Sequence, residues 1–154
     1  MKYVLITGSD GFIGKNLKVA LGRKSNAVVL EYKSTSSEEE LKKGLSKADI
    51  IYHLAGINRT NNNEDFINVN LKLTKKICDY LIKLDKKPII VFTSSAQATL
   101  DNPYGQSKLM AEKVLKNFSS NVSSSLFIYR LPGVFGKWCK PDYNSVVATF
   151  CNNI

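Results

Sequence analysis

The stretch "KYVLITGSDGFIG" at residues 2–14 constrains this chain more than any other. An apolar run over 2–7 stops at Gly8, and Gly11 and Gly14 follow at intervals of three. An apolar run closed by glycine predicts a buried strand. Phe12, Leu17, Ala20 and Leu21 lie near helical spacing and predict a helix over 11–23. A strand that turns through three glycines directly into a helix leaves few folds open. Glycine permits the tight turn, lets the backbone approach a bound group closely, and lets the helix pack against the strand. The helix then opens with free N–H groups and the positive end of its dipole, which suits phosphate.

The alternation continues along the chain. Apolar runs over 26–32, 48–56, 87–95 and 124–130 predict four more strands, and the segments 36–45, 65–84 and 103–118 predict helices between them. The segment 36–45 opens with serines followed by glutamates, a helix-start pattern. Leu73, Ile77, Leu81 and Leu84 set the apolar face of 65–84. A last helix is expected to begin near Asp142 and run to the end of the chain. "TNNNED" at 60–65 and "SSNVSSS" at 119–125 read as polar connections. Continuous apolar strands alternating with helices predict an α/β fold: a three-layer, doubly wound parallel sheet of Rossmann type. Residues 1–154 suffice for one such domain with its own core.

Composition narrows the class further. No apolar run approaches the roughly 20 residues of a membrane span, and the N-terminus lacks a secretory pattern. The expectation is a cytoplasmic protein. Cys78, Cys139 and Cys151 are odd in number and widely spaced, so they predict reduced thiols and no metal site. The net charge of +9 reads first as a solvated lysine-rich surface, and second as attraction for an anionic small molecule. The basic residues are scattered and accompany no nucleic-acid-binding motif.

A dinucleotide site should carry a ribose selector about 20 residues past the glycine turn. There the sequence reads "LEYKSTS", with Glu31 on the strand and Lys33 at its tip. Lys33 reads as a partner for a 2′-phosphate, favouring NADPH over NADH, against the plainer reading of one more surface lysine. Further along, "DNPYGQSKLMAEK" at 101–113 places Tyr104 four residues before Lys108, on one face of a helix.

Taken with "TGSDGFIG" and "HLAG" (53–56), that pair resembles the extended short-chain dehydrogenase/reductases. The resemblance implies a catalytic set of Tyr104, Lys108, Ser95 and Asn70, with Ser94 the alternative to Ser95 and Asn68 a poorer match than Asn70. It implies cofactor contacts from Gly8, Asp10, Gly11, Phe12, Ile13, Gly14, Lys33, Leu54, Ala55, Gly56, Lys108, Pro132 and Val134. In this reading Tyr104 gives a proton to a carbonyl that receives hydride. Lys108 lowers the tyrosine's pKa and holds the nicotinamide ribose, Ser95 hydrogen-bonds the substrate oxygen, and Asn70 steadies the helix and a water-linked proton path. His53, inside a strand, reads as a packed or hydrogen-bonded structural residue.

"HLAGINR" (53–59), "QATLDNPYGQSKL" (97–109) and "FGKWCKPDYNSVVATFC" (135–151) narrow the resemblance to the CapF-type enzymes of capsular polysaccharide and O-antigen synthesis. In those, a reductase domain precedes a metal-binding cupin domain that epimerises a UDP-linked 4-keto sugar. The resemblance implies NADPH-dependent reduction of the C4 ketone of a UDP-linked 4-keto-6-deoxy-N-acetylhexosamine, on the route to N-acetyl-L-fucosamine. Alternatives of the same ancestry are a nucleotide-sugar 4-epimerase, a 4,6-dehydratase, or a non-catalytic NAD(P)-binding module. "SSAQAT" at 94–99 lacks the acidic residues a dehydratase wants there. Two positions depart from the CapF pattern: Gly133 stands where an Asn tends to face the substrate, and Ser34 follows Lys33 where the family has more basic residues. The 154 residues match the N-terminal part of that pattern, so the chain is expected to lack the cupin and the substrate-binding part, to bind cofactor and to turn over poorly or not at all. An exposed sheet edge and last helix predict self-association, and the segments 65–84 and 103–118 are candidates for a homodimer contact.

Overall fold

The strands are β1 (Tyr3–Thr7), β2 (Val28–Tyr32), β3 (Ile50–His53), β4 (Ile89–Ser95) and β5 (Leu126–Leu131). In the computed structural model, which describes residues 1–24 and 26–154, they form one parallel sheet in the order β2-β1-β3-β4-β5. The chain steps from β1 out to β2, then returns across β1 to β3 and continues to β5. That reversal opens a crevice beyond the C-terminal ends of β1 and β3, the topological switch point where doubly wound sheets bind ligands.

The helices are α1 (Phe12–Lys24), α2 (Glu38–Lys47), α3 (Glu64–Phe66), α4 (Lys72–Lys83), α5 (Pro103–Val122) and α6 (Val146–Asn153). Right-handed crossovers place α1 on one face of the sheet and α2, α4 and α5 on the other. The strand register aligns Leu30, Leu5, Ile51, Ile90 and Leu126 in one row across the sheet. This row shares a core with Leu41 and Leu45 of α2, Ile77 and Leu81 of α4, and Ala111 and Leu115 of α5. Two residues nearer the crevice, the same face carries Thr7, His53, Phe92 and Ile128. On the α1 face, Phe127 and Tyr129 of β5 remain 51% and 54% exposed. Among the described residues no helix is long and apolar enough to cross a membrane.

Local chemistry explains the element ends. Ser37 and Glu40 form a reciprocal capping box at α2. Asn102 accepts from the Gly105 N–H at α5, and Pro103 fills the first helical position. Four departures from the sequence expectation exceed two residues. The single helix over 65–84 is broken: a π turn, Ile67–Leu71, separates α3 from α4. The connection expected at 119–125 is helical as far as Val122, because no glycine or proline interrupts it, and Ser123 closes it with φ 55°. The last helix starts at Val146 rather than Asp142: Asp142 has φ 52°, and Ser145 caps the helix by accepting from the Ala148 N–H. The third strand ends at His53, so 54–56 leave the sheet and border the crevice.

Candidate functional site

The glycine turn closes around Tyr32. The Gly8 N–H donates to the Tyr32 carbonyl at 2.8 Å, and the Gly11 N–H donates to the Gly8 carbonyl at 3.1 Å. Gly8 has φ 69°, which disfavours any side chain. A Cβ on Gly14 would fall 2.3 Å from the Gly8 carbonyl oxygen, so α1 meets the turn in backbone contact. Asp10 and Gly11 are exposed, and α1 has no acidic residue in its first turn. The turn thus offers an open helix N-terminus whose first helical turn carries no carboxylate, and its close backbone approach fits a pyrophosphate. Leu54 and Ala55 face this turn across the switch point: the Leu54 N–H donates to the Thr7 carbonyl at 3.2 Å, and the Ala55 N–H to Thr7 Oγ1 at 3.2 Å.

The expected catalytic residues converge beside it. Lys108 is 5% exposed and donates from Nζ to the Thr93 carbonyl at 3.0 Å, lying 5.0 Å above the Phe92 ring. Asn70 is buried in the π turn. Its Oδ1 accepts from the Ile57 N–H at 2.9 Å, and its Nδ2 donates to the Ile57 carbonyl and to Ser107 Oγ, each at 3.0 Å. Gly56 lies between the two: a Cβ there would sit 2.8 Å from Asn70 Oδ1 and 3.1 Å from Lys108 Nζ. Asn68 is exposed and takes no part. Tyr104 is half-buried, with its ring 5.7 Å from Phe66. Ser95 reaches the Tyr104 side chain and accepts from the Gln97 N–H. Ser94 is held elsewhere, donating to Glu112 Oε1 at 2.6 Å.

The electrostatics differ from expectation at one point. Burial pushes the Tyr104 phenol up, and the hydrogen bond with Ser95 only partly offsets this. Lys108, four residues along the same helix, directs its ammonium at the Thr93 carbonyl. Burial pushes Lys108 itself down to about 8, against the pull of Glu112 one turn further along α5. Burial also works to raise the Glu112 carboxyl, but Arg130, donating at 2.8 and 2.9 Å, and Ser94 overcome it and hold Glu112 below its usual value. Glu112 and Arg130 carry no signal in the sequence pattern, since they meet only when β5 lies against α5.

His53 is hydrogen-bonded at both nitrogens, to Thr7 Oγ1 and Thr74 Oγ1, each at 2.8 Å. Burial, and then the charge on Lys108, push its pKa from 6.5 down to about 3. A depressed folded-state pKa gives stability that is complete above 6.5 and lost as pH falls toward 3, because the unfolded chain takes up a proton that the folded chain refuses. Stability is therefore expected to fall by about 1.4 kcal/mol per pH unit across that window from this residue alone. Urea unfolding of the wild type and of His53→Gln at several pH values measures the slope, which the variant should lose.

At the tip of β2, Glu31 accepts from Lys18 Nζ at 2.8 Å and from Ser9 Oγ at 3.0 Å. The Lys18 hydrogen bond is the main cause holding its carboxyl below the usual value. Lys33 Nζ lies 3.8 Å from the same carboxylate, and its side chain is about half exposed. Lys18 was not anticipated, since it lies on α1. Pro132 and Val134 lie on the exposed segment after β5. Beyond them, the Lys137 carbonyl accepts from Asn16 Nδ2 of α1 at 2.9 Å. Tyr143 Oη donates to Asn58 Oδ1 at 2.9 Å, and Arg59 donates to the Tyr143 carbonyl at 3.2 Å. Residues 137–143 thus connect the start of α1 to the loop after β3, bordering the crevice.

The model of the NAD dependent epimerase/dehydratase family matches residues 4–154. The chain belongs to that family. Within and around this epimerase/dehydratase family, the chain is 41% identical to the UDP-2-acetamido-2,6-beta-L-arabino-hexul-4-ose reductase of Pseudomonas aeruginosa, over 98% of its own length and 41% of the relative's. The crystal structure of the capsular polysaccharide assembling protein CapF from Staphylococcus aureus is 47% identical, with a TM-score of 0.84, over 96% of this chain and 40% of that one. The chain therefore spans about two fifths of the length of these relatives. A UDP-glucuronic acid 4-epimerase from Bacillus cereus, solved with NAD, shares the fold at 20% identity and a TM-score of 0.79, over 91% of this chain and 60% of that one.

Proposed function

We propose that this chain is the cofactor-binding and proton-donating part of an NADPH-dependent reductase. Its substrate in this reading is a UDP-linked 4-keto-6-deoxy-N-acetylhexosamine, whose C4 ketone becomes an alcohol in the synthesis of N-acetyl-L-fucosamine for capsule or O-antigen. The observation that carries the reading is the convergence of Tyr104, Ser95, Lys108 and Asn70 next to the glycine turn. The likeness to the Pseudomonas aeruginosa reductase and to CapF supports the choice of substrate.

Gly8, Gly11 and Gly14 would hold the pyrophosphate, with Asp10, Phe12, Ile13, Leu54, Ala55, Gly56, Pro132 and Val134 along the rest of the cofactor. NADPH is favoured over NADH because two lysines, Lys33 after β2 and Lys18 of α1, flank the β2 tip, and because the carboxylate suited to a ribose hydroxyl, Glu31, is already engaged by Lys18 and Ser9. When bound, the dinucleotide supplies hydride. Tyr104, kept protonated by burial, gives the proton to the ketone oxygen, and Ser95 hydrogen-bonds that oxygen. Lys108 holds the ribose through its ammonium, and Asn70 keeps the Gly56–Ile57 backbone and Ser107 in place beside it.

The test is a chimera in which residues 1–154 replace the matching segment of the Pseudomonas aeruginosa reductase. It should oxidise NADPH steadily when given the UDP-linked 4-keto sugar. A chimera that binds NADPH but leaves the sugar unreduced would overturn the assigned substrate. Gly133 offers a finer check. A Cβ there has nothing within 4 Å, so Gly133→Asn should be accommodated. One added hydrogen bond contributes about 1 kcal/mol, so the KM for the sugar in the chimera should fall by roughly fivefold.

A further inference from the structure

The hydrogen bonds around His53 have a determined direction. Thr74 has a single hydroxyl proton and donates it to the Asn70 carbonyl at 2.6 Å. Its oxygen therefore accepts at 2.8 Å from His53, which makes Nε2 the protonated ring nitrogen. Nδ1 is then the acceptor and takes the Thr7 hydroxyl proton at 2.8 Å, while Thr7 Oγ1 accepts from the Ala55 N–H. The chain of donors runs one way, from Ala55 through Thr7, His53 and Thr74 to the Asn70 carbonyl. Thr7, His53 and Thr74 are each no more than 1% exposed. The Phe92 ring packs 5.3 Å from the imidazole, and the Thr93 hydroxyl approaches the His53 carbonyl at 3.4 Å.

The end point of the chain is unusual in its backbone. Asn70 lies in a π turn in which the Lys72 N–H reaches back five residues to the Ile67 carbonyl. Such turns need a specific cause and occur often at functional sites. Here the turn aims the Asn70 side chain at Ile57, Ser107 and the space beside Lys108. A Thr hydroxyl bonded to the carbonyl four residues earlier bends a helix locally, and His53 holds that hydroxyl in place.

We propose that Thr7, His53 and Thr74 are positioning residues that lock the π turn and so set the Asn70 side chain against Lys108, linking the end of β1 at the glycine turn to the catalytic end of the crevice. Only the kinetic part of the test rests on the reductase reading. The chain holds one histidine, so a long-range proton–nitrogen NMR spectrum of the 154-residue protein reports this ring alone. The spectrum should show the Nε2–H tautomer with slow exchange. Thr74→Val should abolish that signature and shift the Asn70 side-chain amide, and Thr74→Ser should restore both. In the chimera, Thr74→Val should lower kcat about tenfold with the KM for NADPH unchanged, and Thr74→Ser should recover it. An Nδ1–H tautomer in the wild type, or an Asn70 amide unmoved by Thr74→Val, would overturn the proposal even if the chimera never turns over. If Thr74→Val fails to fold, Thr7→Val tests the other end. It removes only the donor to Nδ1, so the ring should keep the Nε2–H tautomer while the Nδ1 resonance shifts, and an Nδ1 resonance unchanged from wild type would refute the chain of donors. An inactive chimera with the expected spectra would count against the reductase reading and leave the relay supported.

Discussion

Tyr104→Phe is expected to lower ketone reduction by about a thousandfold in the chimera, within the range of 10²–10⁴ that a positioned proton donor contributes. The affinity for NADPH should stay within about twofold. Phenylalanine keeps the ring that packs on Phe66, so the loss reads out the phenolic proton and not the fold. Burial raises the Tyr104 pKa, so the phenol is protonated at neutral pH and can donate. Lys108 is the group that titrates near the working range, with its pKa pushed down to about 8. Turnover should therefore decline as pH rises through about 8, when Lys108 loses its charge, with Tyr104 still protonated. Absorbance assays of NADPH oxidation across pH check both statements; a Tyr104→Phe variant of undiminished rate would remove the proton-donor role.

Gly14→Ala should weaken NADPH binding at least 100-fold, which corresponds to about 2.8 kcal/mol. The added Cβ would fall 2.3 Å from the Gly8 oxygen and 2.8 Å from Ser9 Cα, both backbone atoms. No side chain can move aside, so the turn itself must open and its N–H groups leave their common centre. Gly22, in the same helix, is the matched control because a Cβ there meets nothing within 4 Å. Gly22→Ala should leave binding unchanged and stabilise the protein by roughly 0.5–1 kcal/mol, as expected for glycine in a helix interior. Calorimetric titration with NADPH and thermal melts of both variants separate the effects.

The sheet was legible because its strands are continuous apolar runs and its first turn needs glycine. Tyr104 and Lys108 were legible as neighbours because four residues make one helical turn. The π turn at Ile67–Leu71 was not, since the apolar periodicity of Leu73, Ile77 and Leu81 continues on one side of it. Its cause is tertiary: Asn70 bonds the loop after β3, and His53 of β3 holds the Thr74 hydroxyl that bonds the Asn70 carbonyl. The surroundings of His53 were equally hidden, because Thr7 lies 46 positions away and Thr74 lies 21 away. Burial of the ring was foreseeable from its strand; its two partners and their direction were not. The Thr93 contact of Lys108 was hidden for a related reason. Helical spacing puts it on the Tyr104 face, but the Thr93 carbonyl, supplied by β4, takes its ammonium. The end of α5 was placed too early because "SSNV" looks polar, although polar residues on the outer face of a helix do not end it.

Fluorescence titration of the 154-residue protein with NADPH and with NADH tests the cofactor crevice most directly. NADPH should bind, and at least tenfold more tightly than NADH, with Lys18→Ala and Lys33→Ala each narrowing the gap. A preference for NADH would contradict the role given to the two lysines at the β2 tip, and binding of neither nucleotide would contradict the central claim that the turn from Gly8 to Gly14 is a dinucleotide site.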